Sequence, residues 1–193
     1  MEHPGVGGQG STRGVPTRRG FSNGASGHFL TSSESGSGAS RGPGPRRVPA
    51  RGDGTITDNN TGLMWEKKSD DGSIHDKDTT YTWPNAFDVH IAALNTAPCF
   101  ADHCDWRVPN VKELQSIVNY QNVNPSVSPA FNTGCVATCA VTACSCTAAS
   151  SYWSSSTVAG NPAIAWNVDF GDGFVNASFK GNTNVVRAVR GGS

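Results

Sequence analysis

One stretch near the C-terminus constrains the fold of this chain more than any other. From residue 163 to 170 apolar side chains recur at every second position, which is the period of a β-strand with one buried face. Gly171-Asp172-Gly173 follows, and these residues tolerate the backbone geometry of a tight hairpin turn. A second alternating run covers residues 174 to 180, and a short last strand runs from Val185 to Arg190. We therefore predict three antiparallel strands whose apolar face other elements must cover.

The alternation assigns the side chains of these strands to two faces. The predicted inward set consists of Ile164, Trp166, Val168, Phe170, Val175, Ala177 and Phe179. The predicted outward set carries short hydrogen-bonding groups and comprises Asn167, Asp169, Asn176, Ser178 and Lys180, continued by Asn182 and Asn184. Amide and hydroxyl groups on an outward face suit recognition of a carbohydrate or a protein, since they can vary without touching the core.

Composition divides the chain into two parts. Residues 1–51 are rich in Gly, Ser, Pro and Arg and poor in large apolar side chains, so we predict a disordered tail. No Gly-X-Y period holds through this tail, and it shows no signal-peptide apolar region. Nothing else in the chain is long and apolar enough to span a membrane. Residues 52–193 are predicted to form one folded domain.

The formal net charge of zero conceals an asymmetry between these parts. The tail has seven arginines against two glutamates, whereas the predicted domain has eight basic and thirteen acidic residues. A basic tail is able to contact nucleic acid or another anionic surface. Because no nucleic-acid-binding motif accompanies it, a nucleic-acid partner is not expected.

Two helices and a hairpin precede the C-terminal strands. Residues 52–66 predict a β-hairpin with Ile56, Leu63 and Trp65 turned inward, and residues 67–80 predict a polar surface loop. In that loop His75, Asp76 and Asp78 are a metal-binding alternative. A first helix is predicted to begin after Thr82, with Pro84 in its first turn, and to place His90 at the core edge or in solvent.

The second helix has a clearer N-terminal signature. Asn110 precedes Glu113 by three residues, and this pair predicts a reciprocal capping box ahead of an apolar helix face. Helices between a hairpin and a C-terminal antiparallel sheet indicate a single α+β domain, in which both helices cover the apolar side of that sheet.

Several motifs in this domain occur together in one known family. They are the segments 58–65, 105–114, 152–155, 165–170 and 186–190, which read DNNTGLMW, DWRVPNVKEL, YWSS, AWNVDF and VRAVR. In this order they resemble the bacterial family named for the C-terminal domain of the collagen-like adhesin Lcl. The resemblance implies a C-type-lectin-like fold, related to formylglycine-generating enzymes and to retroelement variable proteins. It also implies a surface location, a homo-oligomer and sulfated polysaccharide ligands, although an acidic domain repels polyanions.

Six cysteines are confined to two short segments. Cys99 and Cys104 form one, and the run of Cys135, Cys139, Cys144 and Cys146 forms the other. An even number in a loop-rich domain predicts disulfides and an oxidising compartment. We expect Cys99 to pair with Cys104 and the four-cysteine run to close on itself; a zinc site in that run is the alternative. A catalytic thiol is not expected, because no basic group is placed to activate one.

These observations favour a secreted or surface-displayed binding or adhesion module over an enzyme. The predicted ligand is a glycan or a cell-surface protein, bound through the outward set of the C-terminal sheet and its loops. No cofactor is expected, although Asp169 and Asp172 frame the hairpin turn and are candidates for calcium. One alternative follows from the resemblance to retroelement variable proteins, in which an asparagine-rich C-terminal stretch is diversified at adenines. Asparagines also recur near the C-terminus of this chain, and asparagine codons are adenine-rich, so a retroelement-diversified binding protein is the first alternative. The other is a formylglycine-generating-like oxidase or other enzyme on the same scaffold.

Overall fold

The computed structural model describes residues 52–191, and the predicted tail lies outside the described residues. Eight strands form two sheets: β1 Thr55–Thr57, β2 Leu63–Glu66, β3 Thr80–Thr82, β4 Ser151–Val158, β5 Asn161–Asp169, β6 Val175–Phe179, β7 Thr183–Val185 and β8 Val189–Gly191. Helix α1 is continuous through three segments, Trp83–Asn85, Ala86–Ile91 and Ala92–Leu94, of which the middle one has wide π-helical turns. Helix α2 is Val111–Ser116. The predicted α+β class is confirmed.

The smaller sheet joins the two ends of the domain. Its order is β1–β2–β8, and both pairs are antiparallel. The predicted hairpin forms β1 and β2, with Ile56 opposite Trp65 and both side chains fully buried. Residues from the start and the end of the domain therefore share one sheet.

The larger sheet has the order β3–β7–β4–β5–β6, so β6 is an edge strand. The predicted turn at residues 171–173 connects β5 to β6, and Gly173 adopts a positive φ of 85° there. A Cβ at Gly173 would lie 2.7 Å from Val118 and 2.8 Å from the ring of Tyr120, so glycine is required at this position.

The prediction of a single last strand in the same antiparallel sheet is wrong. Residues 183–191 form two strands rather than one: β7 pairs with β3 and runs parallel to β4, whereas β8 pairs with β2 in the other sheet. Neither strand pairs with β6. The backbone between Val185 and Val189 crosses from one sheet to the other, and this crossing divides the predicted strand in two.

The predicted faces of β5 and β6 are also partly wrong. Asn167, assigned to the outward face, is fully buried, whereas Ala177 and Phe179, assigned inward, are exposed. The reason is that each face of the larger sheet carries its own core. Val168 belongs to one buried cluster with Leu114 of α2, and Ala165 belongs to a second with Ala86 and Leu94 of α1.

The predicted N-terminal cap forms in α2 but not in α1. The side chain of Asn110 accepts hydrogen bonds from the main chain of Lys112 and Glu113, and Glu113 accepts one in return from Asn110 N, which confirms the capping box. Helix α1 begins at Trp83 as predicted, but the side chain of Thr82 makes no capping bond. No helix among residues 52–191 has the length and apolar character needed to cross a membrane.

Candidate functional site

Four of the predicted ligand-binding residues, Asn176, Ser178, Lys180 and Asn182, lie in the edge strand β6 or just after it. Asn176 lies opposite Asn167, and Ser178 lies opposite Ala165, so these side chains share one face of β5 and β6. Asn176 is exposed, as is Asn182 in the turn after β6, whereas Ser178 and Lys180 are half-buried. We call β6 and the following turn, residues 175–182, the β6 rim.

Three other predicted residues have positioning roles at this edge. Asn167 is fully buried, and its side-chain nitrogen donates to Ser178 Oγ over 3.0 Å. Asp169 accepts hydrogen bonds from Gly171 N at 2.6 Å and from Ser151 Oγ at 3.1 Å. Asp172 accepts from Phe174 N at 3.0 Å. Both carboxylates therefore brace the turn that leads into β6, and these engaged oxygens make a weak calcium site.

Asn184, the last predicted residue, lies away from the β6 rim. It sits in β7 opposite Tyr81 and is half-buried. It is therefore separated from β6 by two intervening strands of the sheet, β4 and β5.

Lys180 connects the rim to helix α1. Its Nζ donates to Thr157 Oγ1 over 2.8 Å and lies 3.8 Å from the centroid of the Trp83 ring. The main-chain nitrogen of Trp83 also donates to Lys180 O. Sequence reasoning missed Trp83 because a tryptophan at a helix start is usually a core residue, and only the fold brings it to Lys180.

The opposite face of the β6 rim is apolar. Ile164 lies opposite Phe179, and Trp166 lies opposite Ala177, so these four side chains share one face. The Phe179 side chain is 61% exposed, and Ala177 is also exposed. The rim therefore has a polar face and an apolar face, and among residues 52–191 its strand pairs with β5 alone.

The main chain of β6 is open as well. Asp169 N donates to Phe174 O, and Lys180 N donates to Ala163 O, so the residues hydrogen-bonded to β5 are the even-numbered ones. Because an antiparallel ladder alternates, the main-chain N–H and C=O groups of Val175 and Ala177 point away from β5.

A buried ionic cluster lies on the side of α1 that faces β2. Glu66 Oε1 is 2.8 Å from His75 Nδ1 and 3.3 Å from Lys68 Nζ, and Oε2 is 2.9 Å from His90 Nε2. Ala188 N also donates to Oε2 over 2.8 Å. We call Glu66, Lys68, His75 and His90 the Glu66 cluster. It ties β2, the loop after it, α1 and the crossing segment before β8 together.

Burial governs the protonation of this cluster. Burial alone would raise the pKa of Glu66, but the charges of His90 and Lys68 and the hydrogen bonds from His75 and His90 hold that pKa well below its usual range. Burial lowers the pKa of His90 and outweighs the attraction of Glu66, and it also lowers the pKa of Lys68. Glu66 is therefore ionised and His90 neutral near pH 7.

The cluster contradicts two sequence predictions. Lys67, Lys68, Ser69 and Asp76 are buried, although residues 67–80 were predicted as a surface loop. His90 is fully buried rather than at the core edge or in solvent. Charged residues are seldom buried, so composition points to solvent, and only the partners supplied by distant elements make burial favourable here.

The cysteine prediction is confirmed in pairing. The disulfides join Cys99 to Cys104, and within the four-cysteine run they join Cys135 to Cys146 and Cys139 to Cys144. The chain therefore has no free cysteine. The sulfurs of Cys135, Cys139 and Cys146 lie within 4.8 Å of one another, but each is engaged in a disulfide, Cys135 with Cys146 and Cys139 with Cys144.

In the loop where His75, Asp76 and Asp78 were the alternative metal ligands, the carboxylates of Asp70, Asp76 and Asp78 lie close together, and His75 is not part of the group. Lys77 Nζ lies 3.4 Å from Asp70 and also contacts Asp78, and both oxygens of Asp76 accept main-chain hydrogen bonds from Gly72 and Asp78. His75 binds Glu66. The lysine already supplies the positive charge that a cation would bring.

Comparison with known proteins identifies the family. No curated protein matches the chain. Residues 54–190 match the family described as the Lcl C-terminal domain, which covers nearly all of the described residues. The suspected resemblance is thereby confirmed, and the chain belongs to the Lcl C-terminal domain family.

Proposed function

We propose that this domain is a non-enzymatic binding module, secreted or displayed at the cell surface, which captures an extended segment of a protein ligand at the β6 rim. The observation that carries the proposal is the open edge of β6, whose main chain points away from β5 at Val175 and Ala177. An incoming strand can pair with such an edge, and the pairing supplies main-chain hydrogen bonds.

Both faces of the rim support a peptide-like ligand. A partner strand added beside β6 would continue its alternation, with polar side chains near Asn176 and Ser178 and apolar ones near Ala177 and Phe179. The edge lacks the proline, inward charge or bulge with which natural sheets block pairing, since the β6 sequence is Val-Asn-Ala-Ser-Phe. A ligand-specific edge is the simplest reason to leave it open.

The assignment to an oxidising compartment rests on the three disulfides. The same bonds favour binding over oxidase chemistry, because a formylglycine-generating-like mechanism needs a thiol that is free to react. The serines of β4 are similarly engaged: Ser154 Oγ donates to Trp166 O, and Ser156 Oγ accepts from Val111 N.

The test is selection of a random 12-residue peptide phage library on the full chain, followed by affinity measurement on an edge-blocked variant. Ala177→Pro removes an outward N–H without breaking the ladder to β5, so the variant is expected to fold. Ala177→Thr is the matched control, because it keeps the N–H. We expect selected peptides to lose about tenfold or more in affinity for Ala177→Pro, as one or two hydrogen bonds and strand contact are lost.

Equal affinity of the selected peptides for both variants would refute capture at the β6 edge. Failure of the library to yield any binder would contradict a peptide-like ligand. Circular dichroism of Ala177→Pro and Ala177→Thr confirms that the comparison is between folded proteins.

A further inference from the structure

A groove with no residue of the Glu66 cluster or the β6 rim in its lining is not used by the function proposed above. Two adjoining concavities of about 480 and 460 Å³ share Gln121, Asn122 and Pro129 in their walls. Asp58 and Asn60, from the turn between β1 and β2, line the larger one. We call the two together the amide cleft. Each volume lies within the range of about 300 to 1,000 Å³ typical of small-ligand sites.

The wall of the cleft is fixed to the larger sheet. Ser126 N donates to Phe170 O over 2.7 Å, and Asn124 N donates to Gly171 O over 3.0 Å. Asn119 N also donates to Ser126 O over 2.9 Å, which closes the loop between them. The cleft is therefore formed before any ligand arrives, and little conformational entropy is lost on binding.

Four side-chain amides line the larger concavity and retain unused hydrogen-bonding capacity. The side chains of Asn60 and Gln121 make no hydrogen bond to any other described residue, and both residues are exposed. Asn119 uses only its oxygen, which accepts from Gln121 N at 3.0 Å, and Asn122 uses only its nitrogen, which donates to Val127 O over 2.7 Å. Free donors and free acceptors therefore occur side by side.

The cleft contains no basic side chain. Lysine, arginine and histidine are absent from both sets of lining residues, and Asp58 is the one carboxylate. Its oxygens accept hydrogen bonds from Asn60 N at 2.9 Å and from Thr61 Oγ1 at 2.7 Å. Sulfated or phosphorylated ligands would find no counter-charge here, so an uncharged ligand is favoured.

Apolar surface accompanies the amides. Ile117 and Phe131 contribute to the larger concavity, and both belong to the core cluster under α2. Tyr120, between the lining residues Asn119 and Gln121, is 71% exposed, and its hydroxyl donates to Gly173 O over 3.3 Å. Tyr120 does not line either concavity and its ring lies against Gly173, so the apolar wall of the larger concavity is formed by Ile117, Val118 and Phe131.

From these observations we infer that the amide cleft binds a neutral oligosaccharide. Neighbouring sugar hydroxyls act both as hydrogen-bond donors and as acceptors. They therefore match the unused amide donors and acceptors of Asn60, Asn119, Gln121 and Asn122. The C–H faces of a sugar ring suit the apolar wall formed by Ile117, Val118 and Phe131. Two concavities joined at Gln121 and Asn122 accommodate at least two linked sugar units.

The test is titration of the ¹⁵N-labelled full chain with neutral tetrasaccharides of glucose, mannose, galactose and N-acetylglucosamine. At least one is expected to shift the amide signals of residues 58–60 and 116–132. The double variant Asn60→Ala/Gln121→Ala should weaken that binding about tenfold or more, since two partnerless amides lose their bonds to the ligand. Because neither side chain has a hydrogen-bond partner among residues 52–191, folding should be unchanged.

The matched control is Asn176→Ala/Ser178→Ala on the β6 rim, which should leave tetrasaccharide affinity unchanged. Absence of binding by all four tetrasaccharides would overturn the inference, as would equal affinity for the cleft variant and the parent. Shifts at residues 116–132 with the selected peptides alone would also overturn it, by assigning the cleft to a peptide. Ala177→Pro separates the two sites, because it tests the rim and leaves the cleft intact.

Discussion

The Glu66 cluster and the β6 rim use polar residues in opposite ways. In the cluster, both carboxylate oxygens of Glu66 are occupied by partners from three parts of the chain, the loop after β2, α1 and the segment before β8, and Glu66, Lys68 and His90 are fully buried. On the rim, Asn176 and Asn182 are exposed, and the strand has a neighbour on one side only. In the cluster polar groups pair with one another inside the domain, whereas on the rim several of them face solvent.

The largest effect is expected from removing the centre of the cluster. Glu66→Ala leaves Lys68 buried without its partner and should lower the free energy of unfolding by about 3 to 5 kcal/mol. Urea denaturation at pH 7.5, followed by tryptophan fluorescence, measures the loss.

The control for Glu66→Ala is an ion pair of similar geometry on the surface. Asp105 Oδ1 lies 2.6 Å from Arg190 Nε, but the Asp105 side chain is 58% exposed. Asp105→Ala should therefore cost less than about 1 kcal/mol. Comparable losses in the two variants would show that the Glu66 cluster contributes no more than a surface ion pair.

Acidification should weaken the cluster before it affects the rim. The pKa of His90 in the folded protein lies below its ordinary value of 6.5, because burial disfavours the charged imidazole. The unfolded chain therefore takes up the proton first, so the stability is complete above pH 6.5 and is lost as pH falls toward the folded pKa. Glu66, whose pKa is also lowered, adds a loss in the same direction below pH 4.5.

Urea midpoints measured from pH 7.5 to 5.0 test this dependence. The groups facing His90 are Glu66, Lys68 and His75 in the cluster and the Tyr81 ring, whose centroid is 5.3 Å away. His90→Gln should flatten the profile between pH 7 and 5, whereas His103→Gln, outside the cluster, should reproduce the parent profile. Parent stability that does not fall on acidification would contradict the burial of a neutral His90.

The smallest changes in the free energy of unfolding are expected on the rim. Two asparagines that lie opposite each other, Asn176 and Asn167, allow the comparison. Asn176→Ala should change the free energy of unfolding by no more than about 0.5 kcal/mol, because the side chain is exposed. Asn167→Ala, at the buried position opposite it, should cost about 1 kcal/mol or more through loss of the bond to Ser178. Equal costs would mean that the buried and the exposed position of this cross-strand pair are equally constrained.

The same contrast explains what could be predicted from sequence. Local signals predicted local structure well: the capping box at Asn110, the turn at residues 171–173, the hairpin around Ile56 and the disulfide segments all follow from neighbours in the chain. The assignment of Phe179 to the core failed because alternation reveals two faces but not which elements cover them. Because helices lie on both faces of the sheet, the face that carries Asn167 is also covered. Asn167 is therefore buried, whereas Phe179 is exposed.

The candidate sites were less predictable still. The β6 rim was found in outline, because its amides alternate along one strand. The amide cleft was not, since Asn60 and Gln121 are far apart in sequence and neither segment has a periodic pattern. The Glu66 cluster was missed for the same reason, with Glu66 and Ala188 separated by 122 positions.

That separation also bears on how the domain is made in the cell. Strand β8 pairs with β2, and Ala188 supplies a hydrogen bond to Glu66, so the smaller sheet and the ionic cluster cannot close until residue 191 has been synthesised. Strands β1 and β2 can pair with each other early, but the second partner of β2 is made only at the end of the domain. Pairing of β8 with β2 and of β7 with β3 must therefore wait until the end of the domain has been synthesised, whereas the three disulfides join cysteines no more than 11 residues apart.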